Sequence, residues 1–92
     1  EGSVVDGVST LLAQAATHEN GRVQETNLHR YPLLRMAQAP DVDVHFIESD
    51  FPPTGLGEPA LPPVAPAVCN AIFAACGQRI RRLPIREEGF TG

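Results

Sequence analysis

Between positions 4 and 15 the apolar residues Val4, Val5, Val8, Leu11, Leu12 and Ala15 recur at i, i+1, i+4, i+7, i+8 and i+11. That spacing lines one face of an amphipathic helix, predicted over about residues 3–13. Gly2 and Gly7 interrupt it. A glycine inside a helix costs about 1 kcal/mol against alanine, so it needs a reason, either close packing on another element or close approach of a ligand. Asn20-Gly21 then matches a type I′ turn, whose two central residues both take positive φ. It predicts a β-hairpin with strands near 13–19 and 22–28. NLHRYPLLRM reads as irregular, because Pro32 disfavours helix at Tyr31.

From 41 to 48, DVDVHFIE alternates. Val42, Val44 and Phe46 point one way and Asp41, Asp43 and His45 the other, up to Ile47. This is the pattern of a half-buried strand. Residues 49–63, SDFPPTGLGEPALPP, form a Gly/Pro-rich loop. APAVCNAIFAACG reads as a second helix, with Pro66 in its first turn and Gly77 as C-cap. Val68, Cys69, Ile72, Phe73 and Cys76 make its apolar face, and its other faces are mostly alanine. RIRRLPI reads as a short terminal strand or extended tail, and residues 85–92 as a frayed end. The predicted fold class is therefore α+β: helix, β-hairpin, strand, Gly/Pro-rich loop, C-terminal helix and short terminal strand.

A chain of 92 residues holds one small domain. Seven basic residues against eleven acidic ones, a net charge of −4, argue against nucleic acid or a polybasic membrane patch. Arg79, Arg81 and Arg82 do cluster in RIRR, which reads as a solvated edge. No apolar stretch approaches the roughly 20 residues that span a bilayer. The chain opens directly on a helical pattern, so we expect a piece of something longer. Cys69 and Cys76 lie two helical turns apart. Their Cα atoms would stand about 10 Å apart, beyond the reach of about 7 Å of a disulfide. They read as buried structural thiols.

His18, His29 and His45 share no metal-ligand spacing. His29-Arg30-Tyr31 is a polar-aromatic cluster in an irregular segment, consistent with loop packing and capping. GLGEP has one G-x-G and neither the third glycine of a dinucleotide fingerprint nor the GK[ST] of a P-loop. An anion at the start of the second helix stays open on this reading. Glu58 is the remaining candidate. Gly55 and Gly57 permit positive φ and close approach of a bulky ligand. Pro59 holds Glu58 in an extended conformation. A carboxylate fixed beside a large, partly apolar ligand suits proton abstraction; an ordinary loop glutamate is the alternative.

GLGEPALPPVAPAVCNAIFAACGQRIRRLPI resembles the C-terminal end of the large, molybdenum-binding subunit of xanthine-oxidase-family molybdenum hydroxylases, above all isoquinoline 1-oxidoreductase β-subunits and related bacterial aldehyde dehydrogenases. Three earlier blocks agree in order. EGSVVDGVS is similar to an EG-containing helix, NGRVQETNLHRYPLLRM to a hairpin and its N-x-x-x-Y-P-x-x-R-M sequel, and DVDVHFIES to a last central strand.

The resemblance implies that residues 1–92 are the C-terminal piece of a larger molybdenum-binding domain. It implies hydroxylation of an aldehyde or N-heterocycle with water as oxygen source, Glu58 as general base, and Gly55, Leu56 and Gly57 against a molybdenum–pterin cofactor. It further implies the rest of the large subunit and an iron–sulfur small subunit with 2Fe-2S clusters as partners. Beyond them lies a cytochrome or another electron acceptor, in a bacterial cytoplasm or periplasm. Leu56 stands where valine or alanine is commoner. The family's subunit is several times longer, with most pterin-holding segments upstream, so the 92-residue piece alone is expected to be inactive. The alternative is a non-catalytic assembly or interaction module.

Overall fold

The structure is a computed structural model and describes residues 1–89. Helix α1 covers Gly2–Ala13. The carbonyl of Glu1 accepts the N–H groups of Val4 and Val5 (3.1 and 3.2 Å), and the chain turns extended at Gln14. The hairpin forms around Asn20 and Gly21, both at positive φ (52° and 76°) as the Asn-Gly pair requires. Its strands are shorter than the pattern predicts. Strand β1 (His18–Glu19) pairs antiparallel with β2 (Arg22–Val23). Past the paired residues one backbone bond, from the Gln24 N–H to the Thr17 carbonyl at 2.8 Å, continues the hairpin, and side chains add to it. The hydroxyl and N–H of Thr17 each donate to the Glu25 carboxylate at 2.7 Å. The hydroxyl bond leads in holding that carboxyl below its ordinary value.

Residues 28–38 stay irregular apart from single 3-10 turns at Leu28–Arg30 and Met36–Gln38. Asn27 caps the first, accepting the N–H of Leu28 at 2.8 Å, so His29-Arg30-Tyr31 is the capped loop expected of it. Ser9, buried on α1, accepts the N–H of Leu34 at 2.9 Å and ties this segment down.

Two expectations fail in the second half. Residues 41–48 form no strand, and no backbone–backbone hydrogen bond is made over 40–57 among the described residues. The alternating pattern is real, but a strand needs a neighbour to supply its ladder, and the described residues offer none. RIRRLPI likewise forms no strand. Residues 85–89 are not frayed. Ile85–Glu88 make a 3-10 turn, and Ile85 is 2 % exposed, so burial of one isoleucine anchors the segment. Residues 90–92 of the expected tail lie outside the described residues.

Helix α2 spans Leu61–Cys76, four residues longer at its start than predicted, because Pro62 and Pro63 fit a first turn where N–H groups have no partner anyway. Pro66 therefore sits inside the helix rather than at its opening. Gly77 caps the far end at φ +77°, its N–H donating to the Phe73 carbonyl at 2.7 Å. A Cβ there would meet nothing within 4 Å. Gly77→Ala is thus expected to cost only left-handed strain, about 1 kcal/mol, measurable as a lower urea midpoint of the helical circular dichroism signal.

The helices cross at Gly7, where a Cβ would stand 2.9 Å from the Cβ of Val64. The mid-helix glycine is thus explained by packing. The core is small. Leu11, Ile80 and Ile85 are buried, with Leu12, Ala65, Val68, Cys69 and Ile72 against them. Cys69 is half-buried and Cys76 exposed, which corrects the expectation of two buried thiols; both are free. The Cα radius of gyration is 15.9 Å, against about 12 Å for a compact domain of this length. In segment 40–57, Phe46, Ile47, Phe51 and Leu56 are exposed.

Candidate active site

Glu58 lies in a bend just ahead of α2, and its carbonyl accepts the N–H of Leu61 at 2.9 Å. That bond fixes its backbone to the helix start, while the side chain is exposed. Two prolines follow the bend, at 59 and 62, and limit how far the backbone can move. Leu56 is 73 % exposed. A Cβ at Gly55 or Gly57 would meet nothing within 4 Å. Neither glycine takes a positive φ, a conformation found among the described residues at Asn20, Gly21, Gly77 and Gly89. The expected left-handed role of the G-x-G is thereby corrected. Among the described residues nothing in conformation or packing requires glycine at 55 or 57, so what remains is a bare stretch of exposed backbone.

Beside this loop lies a groove of about 400 Å³. One wall is the start of α1 (Ser3, Val4), another is the segment with Val44 and Phe46, and the third is Leu56 with Pro59. Three stretches that are distant in sequence, EGSVV, DVDVHF and GLGEP, therefore meet in one place. Gly55, Gly57 and Glu58 are not among its lining residues. The carboxylate stands at the rim of an apolar hollow, not inside it.

The other candidates separate. The three histidines do not converge, and no group of three or more His, Cys, Asp or Glu able to hold a metal forms among the described residues. His45 pairs instead with Asp43 (3.2 Å), both exposed. The start of α2 is a poor anion site, for Pro62 and Pro63 remove two donors and the N–H of Leu61 is already bonded. What sequence reasoning missed is the contribution of α1. Ser3 and Val4 reach the groove because Gly7 lets the helices approach, and a glycine at contact spacing was the available signal. Among the described residues no helix is long and apolar enough to cross a membrane.

No family model matches the chain. Individual relatives do. It is 42% identical over 94% of its length to a membrane-bound aldehyde dehydrogenase (pyrroloquinoline-quinone) of Gluconacetobacter polyoxogenes, covering 11% of that protein. It is 37% identical over 94% of its length to the isoquinoline 1-oxidoreductase subunit beta of Brevundimonas diminuta, again covering 11%. To the xanthine dehydrogenase molybdenum-binding subunit of Escherichia coli O157:H7 it is 32% identical over 92% of its length, covering 13%. The chain thus spans about a tenth of the length of the curated relatives it matches. It belongs, as a segment homologous to part of their large subunits, to the molybdenum hydroxylase family of aldehyde, isoquinoline and xanthine oxidoreductases.

Proposed function

We propose that this chain is a piece of the catalytic subunit of a molybdenum hydroxylase acting on aldehydes or N-heterocycles, with Glu58 as the general base. The observation that carries the reading is the GLGEP loop. It exposes a carboxylate beside two glycines whose bareness nothing within the chain explains.

The residues present fit a large cofactor as one wall of its site. Gly55 and Gly57 let a bulky planar group come against the backbone, where any Cβ would stand in its way. Leu56 between them offers apolar contact, and Glu58 is free to reach a reacting proton. With no ligand cluster among the described residues, the chain would line a molybdenum–pterin group rather than hold its metal. The relatives' names carry two cofactors, pyrroloquinoline quinone and molybdenum. We infer molybdenum, because the GLGEP stretch matches the molybdenum-subunit pattern. Bound there, the group supplies two-electron oxidation and activation of water.

This chain's own task is proton transfer. The Glu58 carboxylate would take a proton from the attacking oxygen nucleophile as the new C–O bond forms, while the C–H bond of the same carbon breaks and its electron pair passes to the bound cofactor as oxidant; the Glu58 acid then returns its proton to water before the next turnover. Residues 40–57, without backbone partners among the described residues, support placing the chain inside a longer subunit that supplies a neighbouring strand and the rest of the cofactor site. Electrons would leave through the 2Fe-2S clusters of a small subunit to a cytochrome or another acceptor. The test is molybdenum per chain in the native complex recovered through this sequence. Near one atom per large subunit is the expected result, and a native complex free of molybdenum overturns the proposal.

A further inference from the structure

The mid-helix glycine of α1 and the candidate base belong to one mechanical unit. Gly7 is buried against Val64, and a Cβ in its place would stand 2.9 Å from Val64 Cβ, where ordinary contact is 3.4–4 Å. Val64 closes the first turn of α2, which begins at Leu61. Glu58 hangs from that same turn, its carbonyl accepting the Leu61 N–H at 2.9 Å, and Pro59 between them has little backbone freedom. The path from α1 to the carboxylate therefore runs through Gly7, Val64, Leu61 and Glu58. Every link is made inside the chain and needs no free surface.

The two sides of the contact are not equally firm. On α1, Ser9 accepts the Leu34 N–H at 2.9 Å, and Leu11 is buried against Ile80 and Ile85. On α2, the residues packed against that core are Ala65, Val68, Cys69 and Ile72, all C-terminal to Val64. The first turn of α2 is the looser part. Pro62, Pro63 and Pro66 carry no N–H, and the proline at 66 leaves out the helical bond to the Pro62 carbonyl. Crowding at Gly7 is thus relieved by the first turn of α2, which carries Glu58 with it. Widening the contact from 2.9 Å to the ordinary range needs a shift of about 0.5–1 Å. A misplacement of about 1 Å can cost a reaction 10²-fold.

We propose that Gly7 is a positioning residue, whose missing side chain sets how far the Glu58 loop stands from α1 and so where the base meets the reacting proton. The inference rests on the reading of Glu58 as general base. Gly7 acts through Val64, and its substitution leaves the carboxylate itself unchanged while moving the turn that bears it.

The test uses the complete subunit in its native complex. Crystal structures of the complex carrying Gly7→Ala should show the Glu58 Cα displaced from α1 by about 0.5–1 Å. With acetaldehyde or isoquinoline as substrate, kcat per bound molybdenum should fall about tenfold to 10²-fold while KM changes little. Molybdenum per subunit should stay at the wild-type level. Adding Val64→Gly removes the crowding, so it should return Glu58 toward its place and restore most of the turnover. A merely destabilised subunit would not be rescued in this way. If Gly7→Ala does not assemble, Val64→Ala empties the contact instead of crowding it, and it should also lower kcat per molybdenum. A Glu58 that stays in place in Gly7→Ala overturns the proposal. So does unchanged turnover per molybdenum, activity lost only in proportion to the metal, or a double variant as slow as the single one. Glu58→Gln separates the two readings. If it leaves turnover unchanged, the base assignment fails, and the crystal structures still decide whether Gly7 places the loop; if it alone lowers turnover, only the role of Gly7 falls.

Discussion

Replacing Glu58 by glutamine in the complete subunit is expected to lower kcat by about 10² to 10⁴, the usual worth of a general base, while molybdenum content stays at the wild-type level. Glutamine keeps the size and loses the ability to accept a proton. The loop should survive the change, because what fixes Glu58 is its backbone carbonyl on the N–H of Leu61 at 2.9 Å, not its side chain. Among the described residues its carboxylate is in no ion pair whose loss would unsettle the fold. Reading kcat and metal content together separates a chemical role from a structural one. A subunit that loses its metal along with its activity would point to a positional role in the cofactor site. Turnover within tenfold of wild type sinks the assignment. Glu48→Gln, in the segment that packs beside the same groove, is the matched control, and its turnover should not change.

How much of this was legible in the sequence depends on where the partners of each element lie. Helix α1, the hairpin turn and the Gly77 cap were legible because their determinants are local: a 3.6-residue apolar period, an Asn-Gly pair, and a glycine one residue past the helix. The start of α2 was misplaced because two prolines were read as loop although a first turn tolerates them. Segment 41–48 failed for a different reason. Its alternation specifies a two-faced strand, yet forming one requires a neighbour from outside the chain. At the site, the exposed loop that carries Glu58 was legible, since glycine and proline punctuate it. The groove that accompanies it was not, because it depends on α1 reaching the loop through a tertiary contact at Gly7.

That contact carries the second large effect. Gly7→Ala is expected to destabilise the chain by about 2 kcal/mol, although alanine is the better helix former by about 1 kcal/mol. The new Cβ would stand 2.9 Å from Val64 Cβ and 3.1 and 3.2 Å from its two methyl groups. A flexible side chain could swing aside, but a Cβ is fixed to its backbone, so one helix must move bodily. Overpacking of this kind costs typically 1–3 kcal/mol, and Val64 is among the few buried apolar residues that hold α1 on α2. With no tryptophan in the chain, the measurement is the urea midpoint of the helical circular dichroism signal. The sign alone is informative, because a gain in stability would mean that propensity rules and the helices are not in contact there. The double variant Gly7→Ala with Val64→Gly moves the glycine to the other side of the interface and removes all three short contacts. Its loss of stability should fall short of the sum of the two single losses by at least about 1 kcal/mol, despite the helical cost of the new glycine. Strict additivity would rule out a shared contact. The same pair bears on the site, since the N-terminal end of α1 and the residues leading into α2 form two walls of the groove beside Glu58; separating the helices opens that groove without touching the carboxylate.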